Sequence, residues 1–310
     1  MMLRGTNSTI ANTRQNYWKL TFSNDVDVYG NLNSLLGGSE DTLSGSFYGL
    51  FDGQTHLIDA SDLVLPWTTL DTSALGCPAF EAMFRNCTSL TAAPELPATT
   101  LPDFTYKDTF SNCTSLIEAP DLPATTLGIS SYEGMFRNCS SLTTAPTIYA
   151  VELGQTSLTY TFDGCSSLTG EVSFPNLQTA NARSAMERCF RGAGMEIVSM
   201  PNLTSAQARN AMTGIFEGCP NLTTINVPKL SYTDGAWNMN AFAIGASSLE
   251  VVDWSQATQV PAIQQSATQM FSSTDYKIVV PDNLYDSWTT ANYWSAVSSH
   301  IVKASEYNNN

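Results

Sequence analysis

One seven-residue motif occurs three times in the chain, as FRNCTSL at residues 84–90, FSNCTSL at 110–116 and FRNCSSL at 136–142. Successive copies are 26 residues apart. A fixed period of about 20 to 30 residues is typical of a solenoid, in which each repeat stacks only on its neighbours. The phenylalanine continues at intervals of 26 to 29 residues, as Phe84, Phe110, Phe136, Phe162, Phe190, Phe216, Phe242 and Phe271, with Phe51 in a diverged first copy. This predicts about nine repeat units.

Other apolar residues keep fixed distances from the phenylalanine. A leucine follows six residues later, at Leu90, Leu116 and Leu142, and further apolar positions recur nine, twelve and seventeen residues after it. About five such side chains per repeat are enough to fill one slice of a solenoid core. The predicted fold class is an α/β repeat solenoid, a stack of coils with helices or irregular turns on its outer side and a cap at each end.

The segments that connect the strands on the outer side differ in composition between the early and the late repeats, which predicts two kinds of connection. The PATT stretches at 97–100 and 123–126 follow a proline that ends the extended segment, and we interpret them as an irregular outer connection. The later stretches 175–190 and 201–216 are instead rich in Ala, Arg and Met. They predict capped helices on the outer wall. One face of the first helix would present residues spaced by four, namely Ala182, Met186 and Phe190.

The cysteines follow the repeat. Five of the seven lie three residues after the repeat phenylalanine, at Cys87, Cys113, Cys139, Cys165 and Cys219, while Gly245 takes this position in a later unit and Cys189 lies out of frame. Three interpretations are open: buried reduced thiols, disulfides between neighbouring coils, and a metal site. Side chains in register point parallel to one another, and seven is an odd number, which disfavours disulfides. The chain has no CxxC pair, so we favour buried thiols over a metal site.

The ends of an open stack need caps. We predict an N-terminal β cap at 1–46, the repeat solenoid at 47–275, and a C-terminal helical cap at 276–310 whose last residues, 304–310, form a frayed tail. Within the last segment, Pro281 precedes apolar residues at helical spacing, which predicts two short helices. These residues are Leu284 and Trp288 for the first helix, and Trp294, Val297 and Ile301 for the second.

Composition excludes several classes of function. The net charge is −15, from 28 acidic and 13 basic residues, which disfavours nucleic-acid binding and binding to anionic membranes. The chain has no apolar run long enough to span a bilayer, and residues 1–17 have no apolar run of signal-peptide length. We therefore expect an exported or virion-borne chain that carries no signal peptide.

No catalytic, cofactor-binding or metal-binding residue is predicted. The two histidines, His56 and His300, lie near opposite ends of the array, and no nucleophile elbow, phosphate loop or zinc motif is present. A hydrolase would need a pair of acidic residues, such as Asp103 with Asp108 or Glu118 with Asp121. These residues lie at positions that vary between repeats, where we expect a carboxylate to be exposed to solvent rather than catalytic. The ligand-binding residues are unknown from the sequence.

Two sets of matched positions could lie on a binding surface. Glu95, Asp121 and Thr147 each lie eleven residues after the repeat phenylalanine, although the sequence does not say which way they face. Arg183 and Arg209 match between two later units, and they could instead be paired structurally.

The run MFRNCTSLTAAPELPATTL (83–101) resembles the BspA-like leucine-rich repeats of gut Bacteroidetes and their phages. Residues 3–10 and 27–38 are similar to the segment that precedes such arrays, and 276–307 to the segment that closes them. The stretch 175–242 departs from the PATTL type of repeat. The resemblance implies a leucine-rich-repeat solenoid, a right-handed stack of coils with one parallel β-sheet face and helices or irregular turns on the other face. Such solenoids are used for adhesion, or for protein and glycan binding at surfaces, and the family has no catalytic residues to carry over.

The leading hypothesis is a non-enzymatic binding or adhesion module, such as a phage tail-fibre protein of Bacteroides phages, displayed on a virion or a cell surface. Its partners would be a host-surface glycan or protein, other virion proteins, or both. One alternative is a purely architectural virion component, such as a capsid decoration or tail assembly protein, and another is a fragment of a secreted bacterial adhesin. A symmetric homo-oligomer is compatible with these roles, although no heptad repeat specifies one.

Overall fold

The computed structural model describes residues 11–35, 42–43, 46–70 and 78–307. Its strands are β1 (Ala11–Thr13), β2 (Asn16–Tyr17), β3 (Val26–Asp27), β4 (Gly30–Asn31), β5 (Thr42–Leu43), β6 (Leu57–Asp59), β7 (Leu63–Val64), β8 (Thr69–Leu70), β9 (Thr100–Leu101), β10 (Thr126–Leu127), β11 (Glu171–Ser173), β12 (Ile197–Ser199), β13 (Thr224–Asn226), β14 (Val251–Asp253), β15 (Lys277–Val280) and β16 (Ile301–Lys303). The helices are α1 (Tyr285–Thr290) and α2 (Ala304–Tyr307), with 3-10 segments at Leu32–Leu35, Ala267–Gln269, Asp282–Leu284 and Ser295–His300. Regular structure in the described residues is therefore mostly short strand.

Parallel pairing joins strands that are one repeat apart. Strands β11 to β16 form a six-stranded parallel sheet in chain order, with Val172 beside Val198 and Val198 beside Ile225. On a second side of the coil β9 pairs in parallel with β10, and single bridges extend this side from Thr126 as far as Tyr232. The predicted solenoid with a parallel sheet face is confirmed. The first three residues of each PATT stretch are irregular, as predicted, and the fourth residue, Thr100 or Thr126, begins β9 or β10.

The third side of each coil is a run of tandem turns. We call it the turn wall, and it comprises residues 47–53, 80–86, 103–112, 129–138, 155–164, 183–192, 209–218 and 236–245. A residue with positive φ recurs every four positions, as at Ser130, Gly134 and Asn138. Backbone N–H groups alternate along the wall: Gly134 and Phe136 donate to carbonyl oxygens of the next coil, whereas Met135 donates within its own coil. The wall therefore satisfies its backbone partly within a coil and partly between coils.

The helices predicted on the outer wall at 175–190 and 201–216 are absent. Ser184, Arg188 and Gly192 have positive φ, which an α-helix does not accommodate. Met186 donates its N–H to Ala211 of the next coil at 2.9 Å rather than back along a helix. The spacing of four between Met186 and Phe190 is real, and both are buried, but tandem turns produce that period as well. Hydrogen bonds between stacked coils thus override the helix propensity of Ala, Arg and Met.

The repeat phenylalanines form one continuous row through the core, as predicted. From Phe51 to Phe216 the rings stack on one another, with centroids 5.2–5.9 Å apart and planes within 13° of parallel. The row changes at Phe242, whose ring meets Phe216 edge-on at 84°. This coil keeps a positive φ every four residues, at Trp237, Ala241 and Gly245, and adds a further one at Met239. The additional turn at Met239 accompanies the change in ring orientation.

Both ends differ in detail from the predicted caps. At the N-terminus β3, β4 and β5 run parallel to β6, β7 and β8, so that they continue the solenoid rather than cross it. At the C-terminus the two predicted helical segments are present as 282–290 and 295–300, but Ile301 begins β16 instead of ending a helix. Residues 304–307, predicted to be frayed, form α2. Residues 308–310 of the predicted tail lie outside the described residues.

Candidate interaction surface

Each repeat cysteine is held by a hydrogen bond to the coil before it. The thiol donates to the carbonyl oxygen of the phenylalanine in the preceding coil, in the pairs Cys87–Phe51 (3.0 Å), Cys113–Phe84 (3.1 Å), Cys139–Phe110 (3.1 Å), Cys165–Phe136 (3.1 Å) and Cys219–Phe190 (2.9 Å). The sequence predicted buried thiols at these positions, but spacing alone did not reveal that each thiol is also a donor. The cysteine is therefore a link between coils.

These thiols are unsuited to chemistry. All six described cysteines are free and buried, and Cys77 lies outside the described residues. Burial raises the pKa of Cys87, Cys139 and Cys219 to about 12, and raises that of Cys113 and Cys165 well above the ordinary value. A nucleophile or a metal ligand needs the thiolate, which burial disfavours here. No group of residues that could hold a metal ion occurs in the described part of the chain.

A ladder of asparagine amides runs along the edge of the turn wall. Asn112 donates to the side-chain oxygen of Asn86, and Asn138 donates to that of Asn112, both at 2.8 Å. Asn86 in turn donates to the carboxylate of Asp52 at 3.1 Å. All three asparagines have positive φ, and in the next coil Gly164 takes the same position. Asparagine tolerates this conformation better than most residues, and here its amide also ties adjacent coils together.

Several charges on the turn wall are paired between coils. Asp163, which is only 4% exposed, accepts two hydrogen bonds from Arg191 at 2.8 and 2.9 Å and lies 3.3 Å from Arg137. The same two guanidinium groups lie against the ring of Tyr160, at 5.2 and 5.5 Å from its centroid. Arg188 also donates to the Tyr160 hydroxyl at 3.4 Å. These side chains satisfy one another within the wall.

The same pairing holds elsewhere on the wall. Its further ion pairs are Arg85–Asp52 at 2.8 Å, Lys107–Glu133 at 2.7 Å and Arg188–Glu217 at 3.2 Å. Between residues 78 and 275 every basic residue except Lys229 lies on the wall. Arg183 and Arg209, for which either a binding or a structural role was open, are both exposed on the wall, and no ion pair joins either of them to another described residue.

The strand side has the opposite character. We define the strand flank as the outer surface of residues 91–100, 117–126, 143–152, 169–179, 196–205, 223–232 and 250–259. Its exposed side chains include the acids Glu95, Glu118, Asp121, Glu152, Glu171, Glu196 and Glu250, the threonines Thr99, Thr100, Thr125 and Thr126, and the aromatic residues Tyr149 and Tyr232. Lys229 is the one basic residue in these ranges. The flank therefore carries unpaired negative charge and repeated hydroxyl groups.

The predicted matched positions lie on this flank. Glu95 and Asp121 are exposed and Thr147 is half-buried. Each directly precedes a buried core residue, as Asp121 precedes Leu122, which bridges to Ile148 in the next coil. Because successive strand residues alternate between the two faces, these three side chains point outward. The sequence had left their direction open.

The candidate catalytic groups are not brought together. His56 lies at the first repeat, where its Nδ1 is 2.9 Å from an Asp25 carboxylate oxygen. His300 stacks on Tyr276 in the C-terminal segment, with centroids 4.2 Å apart. Asp103 accepts a hydrogen bond from the backbone N–H of Ile129 at 2.8 Å, which gives it a structural role.

The acid pairs do not behave as catalytic dyads either. Burial raises the pKa of Asp108 on the turn wall, but its predicted partner Asp103 is engaged with the backbone of the next coil. Glu118 and Asp121 are both exposed on the strand flank. The structure therefore places Asp108 on the turn wall and Glu118 with Asp121 on the exposed strand flank.

Comparison with known proteins agrees with this architecture. A family model described as the BspA type leucine rich repeat region matches residues 80–158 and 156–270, in six copies. No curated protein matches the chain. Within the described residues, no helix has the length and apolar character needed to cross a membrane.

Proposed function

Since the chain belongs to the BspA-type leucine-rich-repeat family, whose members are surface-associated binding proteins, we propose that it is a non-enzymatic recognition module displayed on a virion or a cell surface. It binds a glycan or a protein of a host surface, and it does so through the strand flank. The turn wall serves to hold the coils together.

The contrast between the two surfaces supports this assignment. On the turn wall, carboxylates such as that of Asp163 form ion pairs with arginines of adjacent coils. On the strand flank, Glu95, Asp121 and Glu152 are exposed in three successive coils. Polar groups without a partner in their own chain are the ones available to a ligand, and a regular array lets one ligand span several coils.

The side chains of the flank limit the classes of ligand that can bind there. Carboxylates and threonine hydroxyls hydrogen-bond to sugar hydroxyls or to peptide groups, and Tyr149 and Tyr232 add exposed rings with a polar end. An anionic ligand would be repelled by the acids of the flank. A neutral glycan or a neutral-to-basic protein surface is the ligand class that fits.

Binding to host cells and to a glycan array tests the proposal. The flank variant combines Glu95→Lys with Asp121→Lys, and its matched control combines Asp275→Lys with Asp286→Lys, which are exposed acids of the last coil and the C-terminal segment. The flank variant should bind at least about tenfold more weakly than the unmodified chain, while the control binds normally. If both variants lost binding to the same extent, the binding site would not lie on the strand flank. Affinity for virion proteins alone, with none for any host surface, would favour the architectural alternative.

A further inference from the structure

Two arginines of the turn wall, Arg183 and Arg209, take no part in holding the coils together through their side chains. Each of the other five arginines in the described residues forms an ion pair with a carboxylate, as Arg191 does with Asp163. The side chains of Arg183 and Arg209 are exposed, and neither forms an ion pair, a hydrogen bond or a ring contact with another described residue. Their guanidinium groups are therefore available to a ligand.

The two arginines occupy equivalent positions in adjacent coils. The backbone N–H of Thr156 donates to the carbonyl oxygen of Arg183, and one coil later the N–H of Ser184 donates to the carbonyl oxygen of Arg209, both at 3.0 Å. Backbones paired in this way lie about 5 Å apart, and equivalent side chains of stacked repeats leave the surface side by side. Two like charges at this separation repel each other. An anion that binds both guanidinium groups removes that repulsion.

Trp237 adds an exposed aromatic ring next to these arginines. The N–H of Asn210 donates to the carbonyl oxygen of Ala236 at 3.0 Å, so Arg209 and Asn210 lie beside Ala236 and Trp237 of the following coil. The indole of Trp237 is 58% exposed, and it contacts no other aromatic ring within the described chain. A cationic pair and a free ring surface thus meet at one place on the wall.

A tryptophan is unusual at this position of the repeat. Trp237 has a φ of 60°, a conformation that disfavours bulky residues. The equivalent residues of the four preceding coils have positive φ as well but are small and polar, namely Ser130, Thr156, Ser184 and Asn210. The backbone of Trp237 is held from both sides, because its carbonyl oxygen accepts the Thr213 hydroxyl at 2.5 Å and its N–H donates to Gln264 Oε1 at 3.2 Å. A strained residue that its surroundings hold in place is typical of a ligand-binding position.

The carboxylates close to these three side chains in sequence have partners of their own. Glu187 is paired with Arg188 at 3.3 Å, and Asp234 accepts a hydrogen bond from Gln207 at 2.8 Å. The net charge of −15 is spread over the whole chain, and physiological salt screens exposed charges that are more than about 8 Å apart. The positive charge of the two arginines therefore decides which ligands this part of the wall attracts.

We propose that Arg183, Arg209 and Trp237 form a binding site for an acidic sugar, one whose ring carries a carboxylate or a sulfate group. The guanidinium groups donate N–H bonds to the oxyanion, which matches their planar geometry. The apolar face of the sugar ring packs on the indole. A peptide of acidic residues also offers carboxylates, but it has no ring face to cover Trp237. This site lies on the turn wall, and its existence does not rest on the strand flank being a binding surface.

Three related oligosaccharides test the proposed ligand class by titration calorimetry on the full chain. They are an oligomer of galacturonate, a sulfated oligomer of galactose and a neutral oligomer of galactose. At least one of the two acidic probes should bind at least about tenfold more tightly than the neutral one. The tighter of the two identifies the oxyanion that the site prefers. If neither acidic probe binds more tightly than the neutral oligomer, the proposal is wrong.

Removing the two arginines tests the site itself. Arg183→Gln combined with Arg209→Gln should weaken binding of the acidic probe by at least about tenfold, and glutamine suits the position because Gln155 is the equivalent residue of the preceding coil. The matched control combines Lys229→Gln with Lys277→Gln, which removes the same net charge at two other residues that form no ion pair within the described chain. This control should bind normally. Equal losses would show that binding follows net charge alone, which overturns the proposal.

The tryptophan separates a sugar from an acidic peptide. Trp237→Asn introduces the residue that Asn210 provides one coil earlier, and it should weaken binding of the acidic oligosaccharide at least about threefold. Circular dichroism establishes that each variant is folded. Polyglutamate that binds as tightly as the acidic sugars, with no effect of Trp237→Asn, would identify an acidic protein as the partner and overturn the sugar site. The flank variant with Glu95→Lys and Asp121→Lys should keep its affinity for the acidic probe, so the two surfaces are tested independently.

Discussion

The thiol of Cys113 donates a hydrogen bond across the coil boundary to the carbonyl oxygen of Phe84, 3.1 Å away. The same carbonyl accepts the backbone N–H of Cys87 in its own coil, also at 3.1 Å. One acceptor thus joins the turn inside a coil to the side chain of the next. The arrangement repeats with the period of the sequence, which is why cysteine recurs beside the stacked phenylalanines.

Removing one thiol tests its contribution to stability. Cys113→Ala deletes a buried sulfur and a weak donor, but the Phe84 oxygen keeps the N–H of Cys87 as a partner. The expected loss is about 1 kcal/mol in the free energy of unfolding, mostly from the packing defect. Urea denaturation measures it. Ser115→Ala, a change on a half-buried residue of the same coil, should lower stability by less than about 0.5 kcal/mol. Equal effects would mean that the thiol row carries no specific stabilisation.

The raised thiol pKa values predict a loss of stability in alkali. Burial holds Cys139 and Cys219 protonated in the folded chain up to a pKa of about 12, whereas thiols of the unfolded chain ionise near pH 8.5. The folded state therefore binds more protons above that pH. Unfolding becomes easier as pH rises from about 8.5 towards 12, and stability is unaffected by these groups below that window.

Urea midpoints measured across this range check the alkaline prediction. They should be level near neutrality and fall steadily above about pH 9. Labelling with a thiol reagent provides an independent check, since the described cysteines should react only as fast as the chain unfolds. Rapid labelling of Cys113 or Cys139 in the folded protein would show that the thiols are not buried.

The repeat determined most of the fold in advance. The phenylalanine spacing predicts the stacked row, because a residue that recurs with the coil must occupy the same place in each slice. The wall at 183–192 could not be predicted in this way. There Met186 and Phe190 are spaced by four, which both a helix and tandem turns produce, and only hydrogen bonds to the next coil decide between them.

The interaction surface was less predictable. Glu95 and Asp121 were recognisable as matched positions, yet whether a carboxylate is free depends on which side chains the neighbouring coils bring to it. Asp163 is equally acidic in sequence, but it is taken up by Arg137 and Arg191 from the coils on either side. The spacing of residues along the sequence does not show which carboxylates will be paired in this way. The spacing of apolar residues in the sequence thus predicts which side chains form the core. Which polar side chains remain unpaired on the surface can be seen only once the coils are stacked.

The asparagine ladder combines backbone strain with bonds between coils. Asn112 has a φ of 62° and takes part in two amide hydrogen bonds of 2.8 Å. Asn112→Gly loses both bonds but relieves the strain, and Asn112→Ala loses both bonds and keeps the strain. We expect losses of about 1 and about 2 kcal/mol in the free energy of unfolding, respectively. Thermal unfolding of the three proteins gives the order. Alanine that is no worse than glycine would contradict the strain argument.

The last prediction concerns the pairing of Asp163 with Arg137 and Arg191. Its side chain is 6% exposed, and the arginines are 44% and 36% exposed. Asp163→Ala leaves two guanidinium groups without their shared acceptor, and we expect a loss of about 2 kcal/mol in the free energy of unfolding. The control is Glu133→Ala, because the Glu133–Lys107 pair is 2.7 Å long and 24% exposed on both sides.

Because the Glu133 carboxylate is more accessible to water than that of Asp163, its pair should contribute less than about 1 kcal/mol, and this contribution should fall with added salt. The cost of Asp163→Ala should persist at high ionic strength, because water and ions reach the buried carboxylate poorly. Urea denaturation of both variants at low and high salt separates the two cases. If the Asp163 effect were also screened away, the carboxylate would be behaving as a surface charge, and the turn wall would be held together by its backbone ladder and core packing alone.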